Sequence, residues 1–338
     1  MHARMSLTTA LRAIDEAVDQ HPNMDINVLF MGGEPILSLG LIQDIVTTCR
    51  EKYNGIAFHF KIVSNGTLIH KKEQEWINAN SDIVEVTLSI DGDRETHNLH
   101  RCKSYDLIDY DYWEHSYPNL PTINMVVTPE TIGKMASNVI KYEKRGYYIK
   151  TILADGVKWN LEKDIPIFER ELNTLIEHYV ANPDLYPTSC LTIPIYALNS
   201  KYALSPCEPG HNSICIMPDG TKVPCYRCSP FFGDNDGYIL NELCTKKIED
   251  ITAREVCKDC SVRRLCNACP AQVAGLRRNI ESAEQYCAIE KTLLRANAYA
   301  MTQFLLYQPN CSYLKNMSGE QKKDIITNSI FILKKLHL

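Results

Sequence analysis

Residues 26–35 have the sequence INVLFMGGEP, a short apolar run that leads directly into a turn with two glycines. Four similar apolar runs follow, at 58–63 (FHFKIV), 84–90 (VEVTLSI), 122–127 (TINMVV) and 148–153 (YIKTIL). Each run is short, contains branched or aromatic residues, and is bounded by Gly, Asn or Pro. This pattern is typical of buried β-strands, so the sequence predicts five of them.

Longer amphipathic segments separate the apolar runs. They predict helices over 36–52, 70–79 and 130–145, and strands that alternate with helices indicate an α/β fold with a parallel sheet and right-handed crossovers. The connection at 92–120 is longer and aromatic-rich, and we expect extra loop structure there. A further helix is predicted near the N-terminus, capped by Ser6 or Thr8, with no strand before it.

The composition narrows the class of protein. The chain has 338 residues, of which 45% are hydrophobic and 23% are charged, and its net charge is −5. These values favour a soluble globular protein, and no run of Lys or Arg points to nucleic acid or an anionic membrane as a partner. No signal peptide and no membrane span is predicted.

Cysteine is the unusual component of this sequence. There are 14 cysteines, and ten of them lie between residues 207 and 287. Because no secretory signal is predicted, metal or iron–sulfur ligation is favoured over a disulfide scaffold. Five cysteines lie outside the spacing pattern described below and are expected to be small buried or partly buried apolar residues: Cys49, Cys102, Cys190, Cys244 and Cys311.

Three of the predicted strands end in polar turns, at 31–35 (MGGEP), 64–67 (SNGT) and 89–92 (SIDG). The carboxyl ends of parallel strands form one edge of a sheet, where ligands bind. Glycines let the backbone approach a ligand closely, and Glu34 adds a carboxylate that suits an ammonium group. Each turn alone is equally typical of an ordinary loop, but the three together predict a ligand site.

These turns, the residues His97 and Arg101, and the run that ends at Pro129 resemble the radical S-adenosylmethionine (SAM) superfamily. Within it, the sequence is similar to peptide-modifying members that carry a C-terminal SPASM domain. The resemblance implies that Gly32, Gly33 and Glu34 hold the amino group of SAM, that Ser64, Asn65 and Ser89 lie near its ribose or the substrate, and that Asp91 faces the same pocket. His97, His100 and Arg101 either contact SAM or the substrate or belong to a polar loop surface.

The cysteine-rich module extends this resemblance. Cys207, Gly220 and Cys225 fit the first half of the SPASM pattern, and four later cysteines fit the second half. The resemblance implies two auxiliary [4Fe-4S] clusters, one held by Cys257, Cys260, Cys266 and Cys287, the other by Cys207, Cys225 and Cys269. The fourth ligand of the latter is open between Cys215, Cys228 and a site left free for substrate.

Thiolates are natural ligands for iron–sulfur clusters, and zinc is the main rival. The two CxxC pairs are separated by only five residues, from Cys260 to Cys266, which is closer than in an ordinary zinc ribbon. The spacing of two residues between Cys266 and Cys269 departs from the three usual in the family. This departure bears on the assignment of Cys269 to the first cluster.

The superfamily motif CxxxCxxC, whose thiolates hold the SAM-cleaving cluster, does not occur in the sequence. In similar sequences it lies shortly before a helix like that at 5–11, together with the first barrel strand. We therefore expect a partial (βα)6 barrel that lacks its first strand, in an N-terminally truncated form of an enzyme. The other interpretation is a degenerate protein that keeps the SAM pocket and the auxiliary clusters for binding or electron transfer.

The resemblance implies four regions: a truncated partial barrel at 1–185, a linker at 186–204, a SPASM iron–sulfur domain at 205–290 and a helical tail at 291–338. It also implies a cytoplasmic oxidoreductase that modifies a peptide or protein side chain by hydrogen abstraction. The electron donor would be ferredoxin or flavodoxin. Two other functions stay open, a non-catalytic iron–sulfur electron-transfer protein and a zinc-stabilised interaction module.

Two further residue sets carry expectations. Anaerobic sulfatase maturases have an Asp directly after the cysteine that corresponds to Cys225, whereas this sequence has Tyr226. The difference favours ribosomal-peptide maturation over formylglycine formation. The aromatic residues Tyr105, Tyr110, Tyr112 and Trp113 are expected to pack within the 92–120 connection rather than to form a binding site.

Overall fold

The computed structural model describes residues 4–53, 55–154, 157–199, 213–226, 259–266 and 283–336. The chain divides into two compact units. The first comprises Met1–Val126, Lys141–Lys150 and Ile216–Lys222, and the second comprises Val127–Ile140, Thr151–Cys215 and Val223–Leu338. The four sequence regions given above remain predictions.

The described residues contain a five-stranded sheet with strand order β1-β2-β3-β4-β5. Its strands are β1 (Ile26–Phe30), β2 (Phe58–Ser64), β3 (Val84–Ser89), β4 (Thr122–Val127) and β5 (Tyr148–Leu153). The pairs from β1 to β4 are parallel. The α/β class and the five predicted strands are confirmed, with ends that differ by at most one residue. A separate two-stranded sheet is formed by β6 (Cys215–Ile216) and β7 (Lys222–Val223).

The described residues also form nine α-helices. They are α1 (Leu7–Gln20), α2 (Leu39–Lys52), α3 (Lys71–Ala79), α4 (Arg94–His100), α5 (Tyr110–His115), α6 (Met135–Glu143), α7 (Leu161–Ala181), α8 (Ala283–Tyr307) and α9 (Gly319–Lys335). Short 3-10 helices occur at Pro35–Ser38, Tyr105–Leu107, Ile132–Lys134, Ser189–Leu191, Ile195–Asn199 and Arg263–Leu265. None of the helices in these ranges is long and apolar enough to cross a membrane.

Local capping explains where several helices begin. Ser6 caps α1 by accepting a hydrogen bond from the backbone N–H of Thr9, which confirms one of the two predicted caps. The connection at 92–120 contains α4 and α5 as well as loop, because Asp93 and Asp109 each cap a helix there by accepting a backbone N–H. The sequence predicted extra loop structure here but did not predict these two short helices.

The core of the sheet is built from alternate residues of its strands. Phe60, Ile62, Val84, Leu88 and Ile123 are each fully buried, at 0% exposure. Successive side chains of a strand point to opposite faces, so these residues form one apolar face that packs on helices. In the second unit, α8 packs on α7 and on α9.

The aromatic residues at 105–117 pack as expected, now on helix α5 and its flanks. Trp113 is 1% exposed and Tyr112 is 4% exposed. The guanidinium carbon of Arg145 lies 4.7 Å from the ring centre of Tyr110 and 5.1 Å from that of Tyr142. Arg145 also forms an ion pair with Glu114, so this cluster is held by stacking and charge together.

Candidate functional site

Glu34 joins two of the three turns that the sequence singled out. Its Oε1 accepts from the Ser64 hydroxyl at 2.8 Å and from the Ile36 backbone N–H at 3.1 Å, and its Oε2 accepts from the Asn65 backbone N–H at 2.8 Å. The predicted residues Glu34, Ser64 and Asn65 are thus brought together. Their contacts are with one another, because the carboxylate holds the end of β1 beside the end of β2.

The side chains of the second turn are used within it. The Ser64 hydroxyl is buried, donates to Glu34 and accepts from the Gly66 N–H at 3.0 Å. The Asn65 Oδ1 accepts from the N–H of Thr67 at 2.9 Å and from its hydroxyl at 2.8 Å. Ser64 and the Asn65 carbonyl oxygen therefore shape the turn, and their placement near the ribose of SAM or the substrate stays a prediction.

The glycines of the first turn present bare backbone to open space. Gly32 and Gly33 are exposed, and a Cβ built on either one would meet no atom within 4 Å. Gly32 has a φ of +155°, a value that glycine adopts readily. Peptide carbonyls here are accessible acceptors for an ammonium group, so the turn fits the part of SAM that the resemblance assigns to it.

Asp91, at the turn after β3, is tied into an ion pair. Arg101 donates to both of its oxygens, from Nε at 2.5 Å and from the terminal nitrogen at 3.0 Å. The backbone N–H of Val126 donates to the same carboxylate at 2.9 Å. The Asp91 side chain is only 6% exposed, so this carboxylate joins β3, helix α4 and β4.

His97 lies under this ion pair, fully buried on α4 rather than on a polar loop surface. Its Nδ1 accepts from the Asp91 backbone N–H at 3.4 Å, so the ring proton resides on Nε2. Nε2 then donates to the Ser104 hydroxyl at 3.0 Å, which in turn donates to the Arg101 carbonyl at 2.7 Å. The pKa of His97 is lowered to about 4, chiefly by burial; the negative charge of Asp91 opposes this shift and the positive charge of Arg101 adds to it.

Ser89 is the predicted residue that faces outward from the sheet end. It is half-buried and pairs in register with Asn124 of β4. Both residues belong to a row of polar side chains at alternate strand positions, which we call the polar face: His59, Lys61, Glu85, Thr87, Ser89, Asn124 and Lys150. Sequence analysis missed this face because the strand runs were taken as wholly buried. The alternation FHFK, VEVT and YIKT was the available signal.

The predicted cluster ligands are only partly described. Cys225, Cys260, Cys266 and Cys287 lie in described segments and are partly exposed, whereas Cys207, Cys257 and Cys269 lie outside the described residues, as do Cys228 and Cys244. Among described side chains, no three His, Cys, Asp or Glu residues converge as metal ligands.

The described cysteines still show two local arrangements. Cys215 lies near Cys225, and burial together with that neighbouring thiol raises the pKa of Cys215. Cys260 and Cys266 flank the single 3-10 turn at Arg263–Leu265. Of the other cysteines, Cys49 and Cys311 are buried as predicted, but Cys102 is exposed, since it follows the end of α4 with a φ of +49°.

Comparisons with known proteins bear on the fold. No protein-family model matches the sequence. The uncharacterized protein MJ0907 of Methanocaldococcus jannaschii is 38% identical over 90 residues, a match that spans 26% of this chain and 29% of that relative.

Solved structures give matches over most of the chain. Native anSMEcpe with bound AdoMet, an anaerobic sulfatase maturating enzyme, matches with a TM-score of 0.64 at 19% identity and covers 91% of this chain and 89% of its own. The same protein with bound AdoMet and Cp18Cys peptide matches with a TM-score of 0.60 at 21% identity, over 84% and 86% of the two chains. The chain therefore shares the fold of that enzyme, an α/β fold with a parallel sheet and C-terminal helices.

Proposed function

We propose that this chain is a radical SAM/SPASM-type enzyme that modifies a peptide or protein side chain by hydrogen abstraction. One observation carries the proposal: an exposed glycine turn at the carboxyl end of β1, held in place by Glu34 against the end of β2. A parallel sheet that ends in such a turn is suited to bind a polar, charged ligand at its rim.

The residues at the carboxyl ends of β1 and β3 have distinct roles in this proposal. The backbone of Gly32 and Gly33 would accept from the amino group of SAM. Ser89, half-buried beside Asn124, would face its ribose or the substrate. Asp91 would act indirectly, since its pairing with Arg101 and Val126 keeps the turn after β3 fixed beside β4. A [4Fe-4S] cluster and SAM, when bound, would supply the one-electron chemistry that removes a hydrogen atom from the substrate.

The cysteine module would hold two auxiliary [4Fe-4S] clusters. The electrostatic interaction of the Cys215 thiol with Cys225 supports Cys215 as one candidate for the fourth ligand of the first cluster, beside Cys228 and an open position. The turn between Cys260 and Cys266 supports a shared second cluster, because a single 3-10 turn keeps the two thiols on one short segment. The donor set is thiolate throughout, which suits iron–sulfur clusters.

The substrate would be a peptide, and ferredoxin or flavodoxin in a reducing cytoplasm would supply the electron needed for SAM cleavage. Tyr226 stands where the sulfatase maturases have an Asp, so we favour maturation of a ribosomal peptide over formylglycine formation. The sequence has no CxxxCxxC triplet, so SAM cleavage would require that triplet in an upstream segment of the natural protein.

The first experiment separates SAM binding from SAM cleavage. We expect the 338-residue chain, reconstituted anaerobically with iron and sulfide, to bind SAM without forming 5′-deoxyadenosine. The same chain expressed with its upstream codons restored should form 5′-deoxyadenosine. Failure of the cluster-loaded longer chain to form that product would contradict the enzymatic proposal and favour the electron-transfer alternative.

The second experiment measures the metal content of cysteine variants. Two four-iron clusters correspond to about eight irons per chain, and Cys225→Ser should lose about half of them. Cys102→Ser, at an exposed position outside the pattern, is the matched control and should lose none. Loss of iron in Cys215→Ser but not in Cys228→Ser would identify the fourth ligand. Tightly bound zinc in a colourless protein would instead establish the zinc-stabilised module.

A further inference from the structure

We propose that Lys61 and Lys150, on the polar face of the sheet, bind a carboxylate of the peptide substrate. The inference deepens the proposed function by naming a chemical feature of the substrate, and it rests on that function. It begins from the two unlike faces of the sheet.

A parallel sheet normally has both faces covered by helices, and its strands are then apolar on both sides. Here one face is apolar, and the other carries charged and polar residues together with a few apolar ones such as Leu29 and Ile152. In β2 the residues Phe58, Phe60 and Ile62 are buried while His59 and Lys61 between them are exposed. Strand β5 alternates in the same way, with Lys150 between buried Ile149 and Thr151. A parallel sheet with charged residues on one face indicates a chamber for a polar ligand.

Among the described residues, the charges on this face do not balance. Lys61 lies directly opposite Glu85 in the register of β2 and β3, and its Nζ is 3.6 Å from the Glu85 Oε2. Lys150 is a second positive charge on this face, which has the single carboxylate of Glu85 beside it. His59 faces Asp25 at 3.8 Å near the other end of β2, so Asp25 is already occupied by a different partner.

The charge of Lys150 interacts with the charges of Lys61 and Glu85, although β5 and β2 are separated by two strands. The pKa of Lys150 lies below its ordinary value because of burial and the positive charge of Lys61, which the carboxylate of Glu85 only partly offsets. Lys61 and Lys150 lie on the same face of the sheet, and Lys61 is the one that is ion-paired with Glu85. Among the described residues of this face, the two ammonium groups exceed the Glu85 carboxylate by one positive charge, which one additional carboxylate would balance.

The position of this group relative to the rim is also suited to a substrate. Lys61 precedes Ser64 by three residues, so its Cα is about 10 Å from the turn that Glu34 holds. A peptide side chain anchored at the two lysines would extend along the polar face, past Asn124, toward Ser89. The lysines would then position the residue to be modified without taking part in the chemistry.

The test uses the full chain and short capped peptides that carry a fluorescent label, with binding measured by anisotropy at low salt. The probe is an acetylated, amidated alanine pentapeptide with one central Asp, compared with the same peptide carrying Asn. We expect the Asp peptide to bind more tightly, and Lys61→Gln and Lys150→Gln each to weaken it by about three- to tenfold. An alanine pentapeptide with a free C-terminus distinguishes a main-chain carboxylate from a side-chain one.

Two variants show whether charge rather than packing is responsible. Lys150→Glu should reverse the preference toward a Lys-bearing peptide, which a merely structural lysine would not do. Lys72→Gln, on the exposed surface of α3, is the matched control and should leave binding unchanged. Lys61 is 45% exposed, so its substitution is expected to leave the fold intact.

Equal binding of the Asp and Asn peptides, no binding of either one at millimolar concentration, or no change in the lysine variants would each overturn the inference. SAM binding is measured on the same samples. A chain that binds SAM but does not distinguish the peptides refutes the carboxylate site alone, whereas loss of SAM binding refutes the proposed function.

Discussion

The turns after β1 and β3 each carry a carboxylate, and the two carboxylates are held in different ways. Glu34 is partly exposed and accepts from three neutral donors, one hydroxyl and two backbone N–H groups. Asp91 is buried and pairs with the charged Arg101. Both residues fasten neighbouring strand ends. Because Asp91 is buried and its partner is charged, loss of the Asp91–Arg101 pair should lower the free energy of unfolding more than loss of a Glu34 hydrogen bond does.

The largest expected effect is therefore at Asp91. Asp91→Asn leaves the Arg101 guanidinium without its counter-ion and turns an amide toward donors that need an acceptor. We expect the free energy of unfolding to fall by about 3 kcal/mol, at the low end for a buried pair because Arg101 is 26% exposed. Urea unfolding of the purified chain measures this change.

The matched control is the exposed pair of Arg94 and Asp106, whose side chains are 68% and 57% exposed. Asp106→Asn should cost much less stability than Asp91→Asn, because solvent screens an exposed ion pair. A double variant, Asp91→Asn with Arg101→Met, should recover part of the loss, since the uncompensated charge is then removed. A loss at Asp91 as small as that at Asp106 would mean that the pair of Asp91 and Arg101 stabilises the fold no more than an exposed ion pair does.

Next in size is a pH effect at the same joint. His97 is neutral in the folded chain, with a pKa of about 4 against an ordinary 6.5, so the unfolded chain binds a proton more readily between these values. The contribution of His97 to the free energy of unfolding is therefore fully present above pH 6.5 and is lost as the pH drops toward 4. The loss is about 3 kcal/mol at most, since one pKa unit corresponds to about 1.36 kcal/mol.

Unfolding measured at a series of pH values tests this. His97→Gln should flatten the slope between pH 4 and 6.5, whereas His115→Gln, at a position 69% exposed, should leave it as in the wild type. An unchanged slope in His97→Gln would mean that other groups cause the acid sensitivity.

The strands were predictable from sequence because each is a local run with its own end signals, and INVLF and TINMVV coincide with β1 and β4. The role of Glu34 was not, because its main partner Ser64 is 30 residues away and is brought near by strand register. Helices α4 and α5 were missed although Asp93 and Asp109 are ordinary caps, since short helices have little periodicity.

The placement of Lys61 and Lys150 shows the same limit. Their alternation with apolar residues was visible, but in a parallel sheet a buried run is the usual pattern, and only the assembled sheet shows which face is open. The cysteine spacing, by contrast, gave the ligand candidates directly, because ligands of one cluster lie close together in sequence.

A smaller change is expected at the first turn. Glu34→Gln keeps one acceptor oxygen and replaces the other with an amide that cannot accept from Asn65 or Ser64. The loss of one charge-assisted hydrogen bond should lower the free energy of unfolding by about 1.5 kcal/mol, half the effect at Asp91. Urea unfolding of both variants under identical conditions makes the comparison. A loss in Glu34→Gln equal to or larger than that in Asp91→Asn would contradict the expectation that Asp91 contributes more to stability than Glu34.

The smallest effect on stability is expected at Gly33. A substitution there should change the affinity for SAM rather than the free energy of unfolding. Gly33 has no positive φ and faces open space, so Gly33→Ala should change the free energy of unfolding by less than about 0.5 kcal/mol. Its methyl group would project where the ammonium of SAM is proposed to lie, so SAM affinity measured by equilibrium dialysis should fall about tenfold. Gly40→Ala, in helix α2 and also in open space, is the control and should leave SAM affinity unchanged while raising stability slightly. If SAM affinity is unchanged in Gly33→Ala, the turn after β1 has a structural role like the turn after β3, and the ligand binds elsewhere at the carboxyl ends of the strands.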